Sequence, residues 1–484
     1  MSETAVRCHP EYAVKLSVWD KMRDTFAGET AVKAAGVKYL AKTSGQSSSP
    51  DGAAMYDAYK SRAIYYNFPS ETKKSMLGLM WRKPAAIVVP SKMEGLQTQA
   101  TPDGLDLDDV LMKINSSQIS DGRVGILVDV KDNAPVSELP YLSIYGAESV
   151  VNWYSEFVEG EEILKCVVLD ESGMSMNDSM EWDEVESWRV LLILNGKYAT
   201  YTVDSEDQIT LMPDEKDVIY PSFGGKTLDY IPFVFCNVSD TLSGIEMPPL
   251  SDLCDLSLSL YRQEADYRQA LFMQGQGTPY ATGVTKDEAS GILFGAFGMV
   301  SSENKDAKFG FMELSGQGLP EMRQAVEALK KDCIRLGVSF IEQGQTESGA
   351  ALETRLSTKT ASLKTIATTG GKALGKVLKI ISEWTGSPEA DVSVTPNLDF
   401  ADDNSTTQDF VSLMSAKTLG APLSYLSIHN WAREHGYTDM EYEEELEIIK
   451  EEGLPTSVFV EEEPAPEPDP NDPNSPNYDP DYVK

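Results

Sequence analysis

The chain is short of the residues that most enzymes, membrane proteins and nucleic-acid binders rely on. Of 484 residues only 3 are His and 5 are Cys, and 41 Lys and Arg face 77 Asp and Glu, a formal charge of −36 at pH 7. His429 and His435 stand six apart on a helical stretch and so face apart, and His9 is remote. A zinc site or a histidine-based triad therefore lacks its parts. The cysteines (Cys8, Cys166, Cys236, Cys254, Cys333) are odd in number and form no CxxC, which argues against a disulfide framework and for a reducing compartment. Scarce basic charge disfavours condensation on DNA, RNA or anionic lipid. Long apolar runs are missing too. "VLLIL" (190–194) is far shorter than the roughly 20 residues of a membrane span, and the N-terminal stretch has no apolar signal core. The expectation is a soluble protein made inside the cell.

What basic charge there is lies in two places. Residues 1–83 hold 13 Lys and Arg against 8 Asp and Glu, and residues 319–380 hold 10 against 6. The ends differ in another way. The final 24 residues carry 8 acidic residues and 7 prolines, a composition that cannot bury apolar area and predicts disorder. Between the ends, residues 1–83 have helical spacing, with one long segment at 53–84 stopped by Pro84. Residues 84–240 are short β-branched or aromatic runs such as "GRVGILVDV", "YLSIYGAESVVNWY" and "IPFVFCNV", set between Gly, Asp and Asn turns. Residues 278–314 and 391–400 read as β, and residues 405–452 return to helix.

Motifs with catalytic echoes fail on their missing partners. Ser70 and Lys73 in "SETK" match the serine–lysine spacing of penicillin-recognising acyl enzymes, but neither S-D-N nor K-T-G is present, and Ser70 suits a helix cap after Pro69. "FGGKTLD" (223–229) resembles half a phosphate loop, yet Tyr220 stands where the first glycine belongs, which leaves a turn. "TTGGKALGK" (368–376) has no Ser or Thr after Lys372 and falls within a helical pattern, where Gly370-Gly371 predicts a kink. "DLDD" (106–109) and "DFADDN" (399–404) could ligate a divalent cation, but helix-start carboxylates account for them more simply. The expectation is a protein that is not an enzyme and takes no metal or cofactor.

The helices of the second half are more informative. In "LSDLCDLSLSLYRQEADYRQALFMQGQG" (250–277), Leu253, Leu256, Leu260, Tyr267 and Leu271 share one stripe. Cys254, Leu258, Tyr261, Ala265 and Phe272 make a second, more than 90° round. Only a narrow face (Asp252, Asp255, Arg262, Asp266, Gln269) is left wet. A helix apolar on two sides needs two sets of neighbours. From Leu319 a second helix carries Met322, Val326, Leu329, Cys333 and Leu336 inward, with Arg323, Glu327, Lys330, Lys331 and Arg335 facing away. "IEQGQTESG" (341–349) is a polar loop, and a long helix over 349–385 puts Lys364, Lys372, Lys376 and Lys379 opposite its apolar side. By periodicity alone this is a mixed α+β core with an inserted hairpin.

The same order resembles the portal protein of tailed bacteriophages. The resemblance covers most of the chain, carried by "HPEYAVKLSVWDKMRDTFAGETAVKAAGVKYLAKTSGQ" (9–46), "YDAYKSRAIYYN" (56–67), "LGLMWRKP" (77–84), "YGAESVVNWY" (145–154) and "IPFVFCNV" (231–238). "PPLSDLCDLSLSLYRQEADYRQALFMQGQGTPYATG" (248–283) is the most specific block, followed by "ESGAALETRLSTKTASL" (347–363); residues 155–230 and the tail match nothing in it. The resemblance implies an α+β portal fold with wing, stem, clip and crown, its long stem helices lining a channel in a ring. Residues 1–248 and 351–400 would be wing, 249–275 and 319–341 the stem helices, 276–318 the clip, 342–350 the tunnel loop, 401–453 the crown and 454–484 the disordered tail.

It further implies a homododecamer at the capsid vertex of a virion, assembled in the host cytoplasm. Its partners would be the large terminase, a head-tail connector, the major capsid and scaffolding proteins, and double-stranded DNA passing without sequence specificity. Leu253, Leu256, Leu258, Leu260, Tyr261 and Tyr267 would make contacts between stems, and Arg323, Glu327, Lys330, Lys331 and Arg335 would face the channel. Glu342, Gln343, Gly344, Gln345, Thr346 and Glu347 would form the tunnel loop. Two other readings stay open: a structural protein of another viral or cellular assembly, and a hydrolase dependent on Ser70 and Lys73. Removing residues 454–484 is expected to leave the melting temperature unchanged, because a Pro/Asp-rich segment contributes no core; a drop of several degrees in calorimetry would show the tail to be docked.

Overall fold

Capping residues set the first helices of the chain, seen here in a computed structural model. It describes residues 8–131, 138–275, 278–285, 304–312, 318–337, 349–400, 407–434 and 437–451, with Ser302 and Gly316. Helix α1 (Pro10–Ala27) starts at His9, whose ring accepts from the Glu11 amide at 3.3 Å. Then come α2 (Glu29–Ala34), α3 (Ser44–Ser48), α4 (Gly52–Arg62) and α5 (Phe68–Met80). The segment expected as one helix over 53–84 is thus two. Pro69 has no amide to give, and the Asn67 side chain accepts from Ser70 N at 3.1 Å, so a new helix begins there. Asn67, not Ser70, is the cap.

Strand β1 (Ala86–Val88) leads to α6 (Leu107–Asp121), a helix that the β-like reading of this region did not include. Asp106 caps it, accepting from Asp109 N at 2.8 Å, as the helix-start account of "DLDD" expects. Strands β2 (Arg123–Asp129), β3 (Tyr141–Gly146), β4 (Val150–Val158), β5 (Glu161–Asp170), β6 (Gly173–Met176), β7 (Trp182–Val185), β8 (Trp188–Leu194), β9 (Lys197–Val203) and β10 (Phe233–Asn237) follow. They form antiparallel sheets of order β10-β2-β3 and β4-β5-β8-β9. A buried ion pair joins β2 of one to β8 of the other, Asp129 to Arg189 at 2.6 Å. Between β9 and β10, Gly224 and Gly225 take φ of 56° and 80° in a tight turn closed by Phe223 and Lys226, so the half phosphate loop is a turn.

Strands β6 and β7 prolong the β5–β8 ribbon past its sheet. Glu171 N donates to Ser187 O at 2.8 Å, and the pairing runs from Gly173↔Val185 to Met176↔Trp182. All eight residues of the two strands are exposed.

The second half supplies α7 (Ser251–Gly275), β11 (Thr278–Thr282), β12 (Lys308–Met312), α8 (Leu319–Leu336), α9 (Gly349–Thr385) and β13 (Ser393–Thr395), which pairs back with β1. Contacts divide the chain into Met1–Phe400 and a second unit from Ala401 onward. The described part of the latter is α10 (Thr407–Thr418), α11 (Tyr425–Glu434) and α12 (Tyr442–Glu451), held by Phe410 stacked on Trp431 and Tyr437 at 5.9 and 5.7 Å. The "DFADDN" segment after Phe400, the acidic tail and His435 lie outside the described residues.

The largest core sits between α6, β2, β10 and the C-terminal half of α9 (Leu374, Val377, Ile381, Trp384). A second, helical core gathers Met22, Met76, Met80, Leu253, Leu260 and Val326 around Leu363 and Ile366, so α9 enters both. All five cysteines are free; Cys236 lies in the first core, Cys254 and Cys333 in the second, and Cys166 in a smaller one on the four-stranded sheet. Burial pushes the Cys254 and Cys333 thiols up to about 11, so they are inert as nucleophiles at neutral pH.

Gly370 and Gly371 lie within one continuous helix, α9. They are close-approach positions. A Cβ on Gly370 would stand 2.5 Å from Asn115 Nδ2 and 3.0 Å from Gln118 Oε1, and one on Gly371 3.0 Å from Pro396. Asn115 and Gln118 cannot simply swing away, because Asn115 donates to Gln118 at 3.0 Å and Gln118 donates to Asn237 O at 2.7 Å, all buried. Gly370→Ala should therefore destabilise the chain by about 1–3 kcal/mol, seen as a lower denaturant midpoint at unchanged slope. Gly375→Ala, where the nearest atom is 4.0 Å away, should be neutral or slightly stabilising.

Candidate functional site

The two apolar stripes of α7 both find cover inside the chain. Leu253, Cys254 and Leu260 enter the core shared with α1, α5, α8 and α9. Leu258, Tyr261 and Ala265 pack with Val32, Tyr39, Leu40, Tyr56, Tyr59 and Tyr65 of the N-terminal layer. Tyr59 donates to Asp266 at 2.5 Å and Arg62 to Gln269 at 2.6 Å along the same seam. This corrects the assignment of Leu253, Leu258, Leu260 and Tyr261 to contacts between subunits: each is at most 3% exposed in the single chain. Leu256 and Tyr267 also pack, half-buried, on the helical core. The N-terminal layer supplies the second set of neighbours.

From Leu271 to Gly275 the helix is exposed. Leu271 is 41% exposed, Phe272 37% and Met273 46%, and the Arg62 guanidinium lies 4.0 Å from the Phe272 ring. Helix α8 runs antiparallel to α7. Its end lies at the root, where a Cβ on Gly337 would stand 2.8 Å from Leu253 Cδ2. Its start lies at the far end, where Leu319, Pro320, Arg323 and Glu327 line, with Tyr267, an open groove of about 440 Å³. Between α7 and α8 in the chain, the strands β11 and β12 pair antiparallel with register Thr278↔Met312 to Thr282↔Lys308. Tyr280 and Phe309 on it are exposed.

A buried carboxylate fixes α8 on α7. Glu264 is 1% exposed, accepts from Arg268 Nε at 2.8 Å and lies 3.8 Å from Lys330 Nζ. Lys330 donates to the Tyr66 hydroxyl at 2.8 Å and sits 4.2 Å over its ring, and that hydroxyl reaches Glu264 at 3.5 Å. Lys330 therefore turns inward to α7 and to Tyr66 in the segment before α5, not away as its helical spacing suggests. Glu264 is the buried member and Lys330 and Arg268 are partly exposed, so removing a cation leaves that carboxylate uncompensated in the interior, at a cost of up to about 3–5 kcal/mol. The signal was in the sequence: Glu264 falls inside the apolar stripe between Leu260 and Tyr267. Arg323 pairs with Glu327 at 2.9 Å and Arg335 with Asp332 at 3.3 Å, both exposed, and Lys331 is exposed too. Such pairs on one helix contribute little to stability.

The structure does not bring the remaining candidates together. Lys73 lies over the Phe26 ring at 5.3 Å and near Asp121, whose carboxyl burial raises to about 6. His9 stacks on Trp153 at 3.9 Å, and His429 meets the edge of Tyr442 at 5.2 Å. Among the described residues no group of three or more His, Cys, Asp or Glu could hold a metal ion, and no helix is long and apolar enough to cross a membrane. The expected tunnel-loop residues Glu342, Gln343, Gly344, Gln345, Thr346 and Glu347 lie outside the described residues, as does much of the expected clip; Gly349 and Ala350 of the loop's range already belong to α9.

The segment that holds this helical pair is also the one that matches a known family. Residues 249–385, from just before α7 to the end of α9, match the family described as Domain of unknown function (DUF4055). No curated protein matches the chain. Among solved structures, the chain is similar to one from the neck of a native GTA particle computed with C12 symmetry, at 11% identity and a TM-score of 0.38, over 75% of this chain and 88% of that one. It is also similar to one from the neck of an empty GTA particle computed with C6 symmetry, at 11% identity and a TM-score of 0.37, over 81% and 91% of the two chains.

Proposed function

We propose that this chain is the subunit of a phage portal, a ring through which a genome enters and leaves a capsid. The observation that carries the reading is the antiparallel pair α7/α8, with the paired strands β11 and β12 between them in the chain, rooted by Glu264 in an α+β body. Its root is covered within the chain, and its far half leaves Leu271, Phe272 and Met273 with Tyr280 and Phe309 uncovered. A monomer gains nothing from an apolar far half, whereas a closed ring covers the same patch on every copy. The sequence resemblance to portals, strongest over 248–283, supports the same reading.

In this reading the subunit performs no chemistry. A terminase motor hydrolyses ATP, and the ring of twelve supplies its docking surface, a conduit for double-stranded DNA and a seat for the connector, within a vertex of capsid and scaffolding protein. The charge of −36 per chain suits a conduit, since strong phosphate contacts would hold DNA by counterion release where it must slide. Arg323 and Arg335, already paired on their own helix, and Lys331 are left as weak contacts along the channel. Lys330 is not among them.

Two experiments test this. Native mass spectrometry of the purified chain should show closed rings near twelve copies. Leu271→Asp should abolish them while the melting temperature stays within a few degrees; Leu258→Asp, buried in the subunit, should unfold the subunit itself, at a cost above about 3 kcal/mol. A wild-type chain that stays monomeric at micromolar concentration sinks the proposal. For the loop, Glu342 and Glu347 would each form an acidic ring around passing DNA. Replacing both with Lys should keep rings and motor docking intact while packaging in vitro stalls, and added salt should partly restore it. Full packaging by the double-Lys ring would remove the loop from the channel.

A further inference from the structure

Two surfaces play no part in the stem and are bare in complementary ways. The first is the β6–β7 arm. An isolated two-stranded ribbon is marginal in water, yet this one stands beyond its sheet with every strand residue exposed. Its register puts Met174 opposite Glu184 and Met176 opposite Trp182, so these four side chains share one face. Trp182 is 63% exposed and Met176 53%, an apolar load that a free surface does not favour. The charge of the arm has one sign: residues 171–187 hold six acidic residues and no Lys or Arg. Of these, Asp178, Glu181, Glu184 and Glu186 meet no cation among the described residues, and Asp183 accepts only from Asn177, at 2.9 Å.

The second surface is the outer face of α9. Lys364, Lys372, Lys376 and Lys379 are all exposed. None is paired with a carboxylate among the described residues, Lys376 donating instead to the Thr241 hydroxyl at 2.7 Å. In a chain with 77 acidic residues that is an unusual stretch to leave uncompensated. At 100° per residue the four lysines span an arc of about 120°, and small residues (Ala361, Thr365, Thr368, Gly375) fall between them, giving a flat floor. The stripe from Lys364 to Lys379 is about 22 Å long. The arm beyond Asp170 extends over six residues to Met176, about 20 Å.

We infer that the acidic Met/Trp arm of one subunit lies along the lysine face of α9 in the next copy of this chain. The inference rests on the ring reading. A ring closed by rotation joins two different patches of each subunit, and these two belong to the same compact unit, match in length and are opposite in charge. The contact gives the arm the second layer that its apolar face lacks, and it brings opposite charge to the boundary between two acidic subunits.

Charge exchange in the full-length chain tests it, read as the concentration at which half the protein is in rings. Lys372→Glu with Lys379→Glu should raise that concentration at least about tenfold, and Glu184→Lys with Glu186→Lys, on the face of the arm that carries Met174, Met176 and Trp182, should do the same. Both pairs combined should return it to within about threefold of wild type, because like charges again become opposite. All four positions are exposed, so melting curves should stay unchanged and exclude misfolding as the cause. Rings insensitive to either pair, or a combined variant no better than the worse pair, overturn the arm contact and leave the ring standing. A wild-type chain that forms no ring overturns the ring reading, and the arm contact falls with it.

Discussion

One long helix constrains everything else in the larger unit. Helix α9 places Leu363 and Ile366 in the helical core and Leu374, Val377, Ile381 and Trp384 in the mixed core. The two cores therefore cannot shift relative to each other without bending a continuous hydrogen-bonded rod. This arrangement is possible because α9 passes α6 at glycine. At Gly370 the approach is set by the Asn115–Gln118–Asn237 hydrogen-bond chain, so a polar network decides how closely two apolar surfaces meet.

On that base the α7/α8 pair is built like a cantilever. Its root is over-determined: two apolar stripes, a close contact at Gly337 and the Glu264 cluster all fix the same geometry. Its far half has less of this: the Tyr59–Asp266, Arg62–Gln269 and Arg62–Phe272 contacts, and an open groove beside the start of α8. A buried charge is a poor source of net stability, but it penalises misaligned docking of α8, because a slip that withdraws Lys330 leaves Glu264 short of a cation in the interior. Precision at the root sets where the exposed end is held.

Much of this was legible in the sequence, and the misses share a cause. Periodicity placed α7, α8 and α9 and sorted their faces, because a 3.6-residue repeat reports which side is apolar. It does not report what covers that side. Leu258 and Tyr261 were therefore read as meeting a neighbour when α2 and α4 cover them. Lys330 was assigned outward by angle alone, although its long stem and Tyr66 let it reach back to Glu264. Helix α6 shows in the sequence only by its start at "DLDD", because Asn115, Ser116, Ser117 and Gln118 dilute its apolar signal; Asn115 and Gln118 are buried polar residues that meet α9. The glycine pair predicts a kink from the sequence, whereas the structure shows what Gly370 does for packing: it brings α9 close to Asn115 and Gln118. Local pattern gives the element; the identity of its partner comes only from the tertiary fold.

The distribution of thiols has a consequence for following this protein in solution. Cys236, Cys254 with Cys333, and Cys166 fall in three different cores, and none is bound in a disulfide. A buried thiol reacts with an alkylating reagent only when its own core opens. Peptide-resolved labelling under native conditions thus times the opening of the mixed core, the helical root and the four-stranded sheet separately, within one molecule and without an engineered probe. Because the helical root and the mixed core share α9, their two clocks should run together, while Cys166 on the sheet is free to keep its own time.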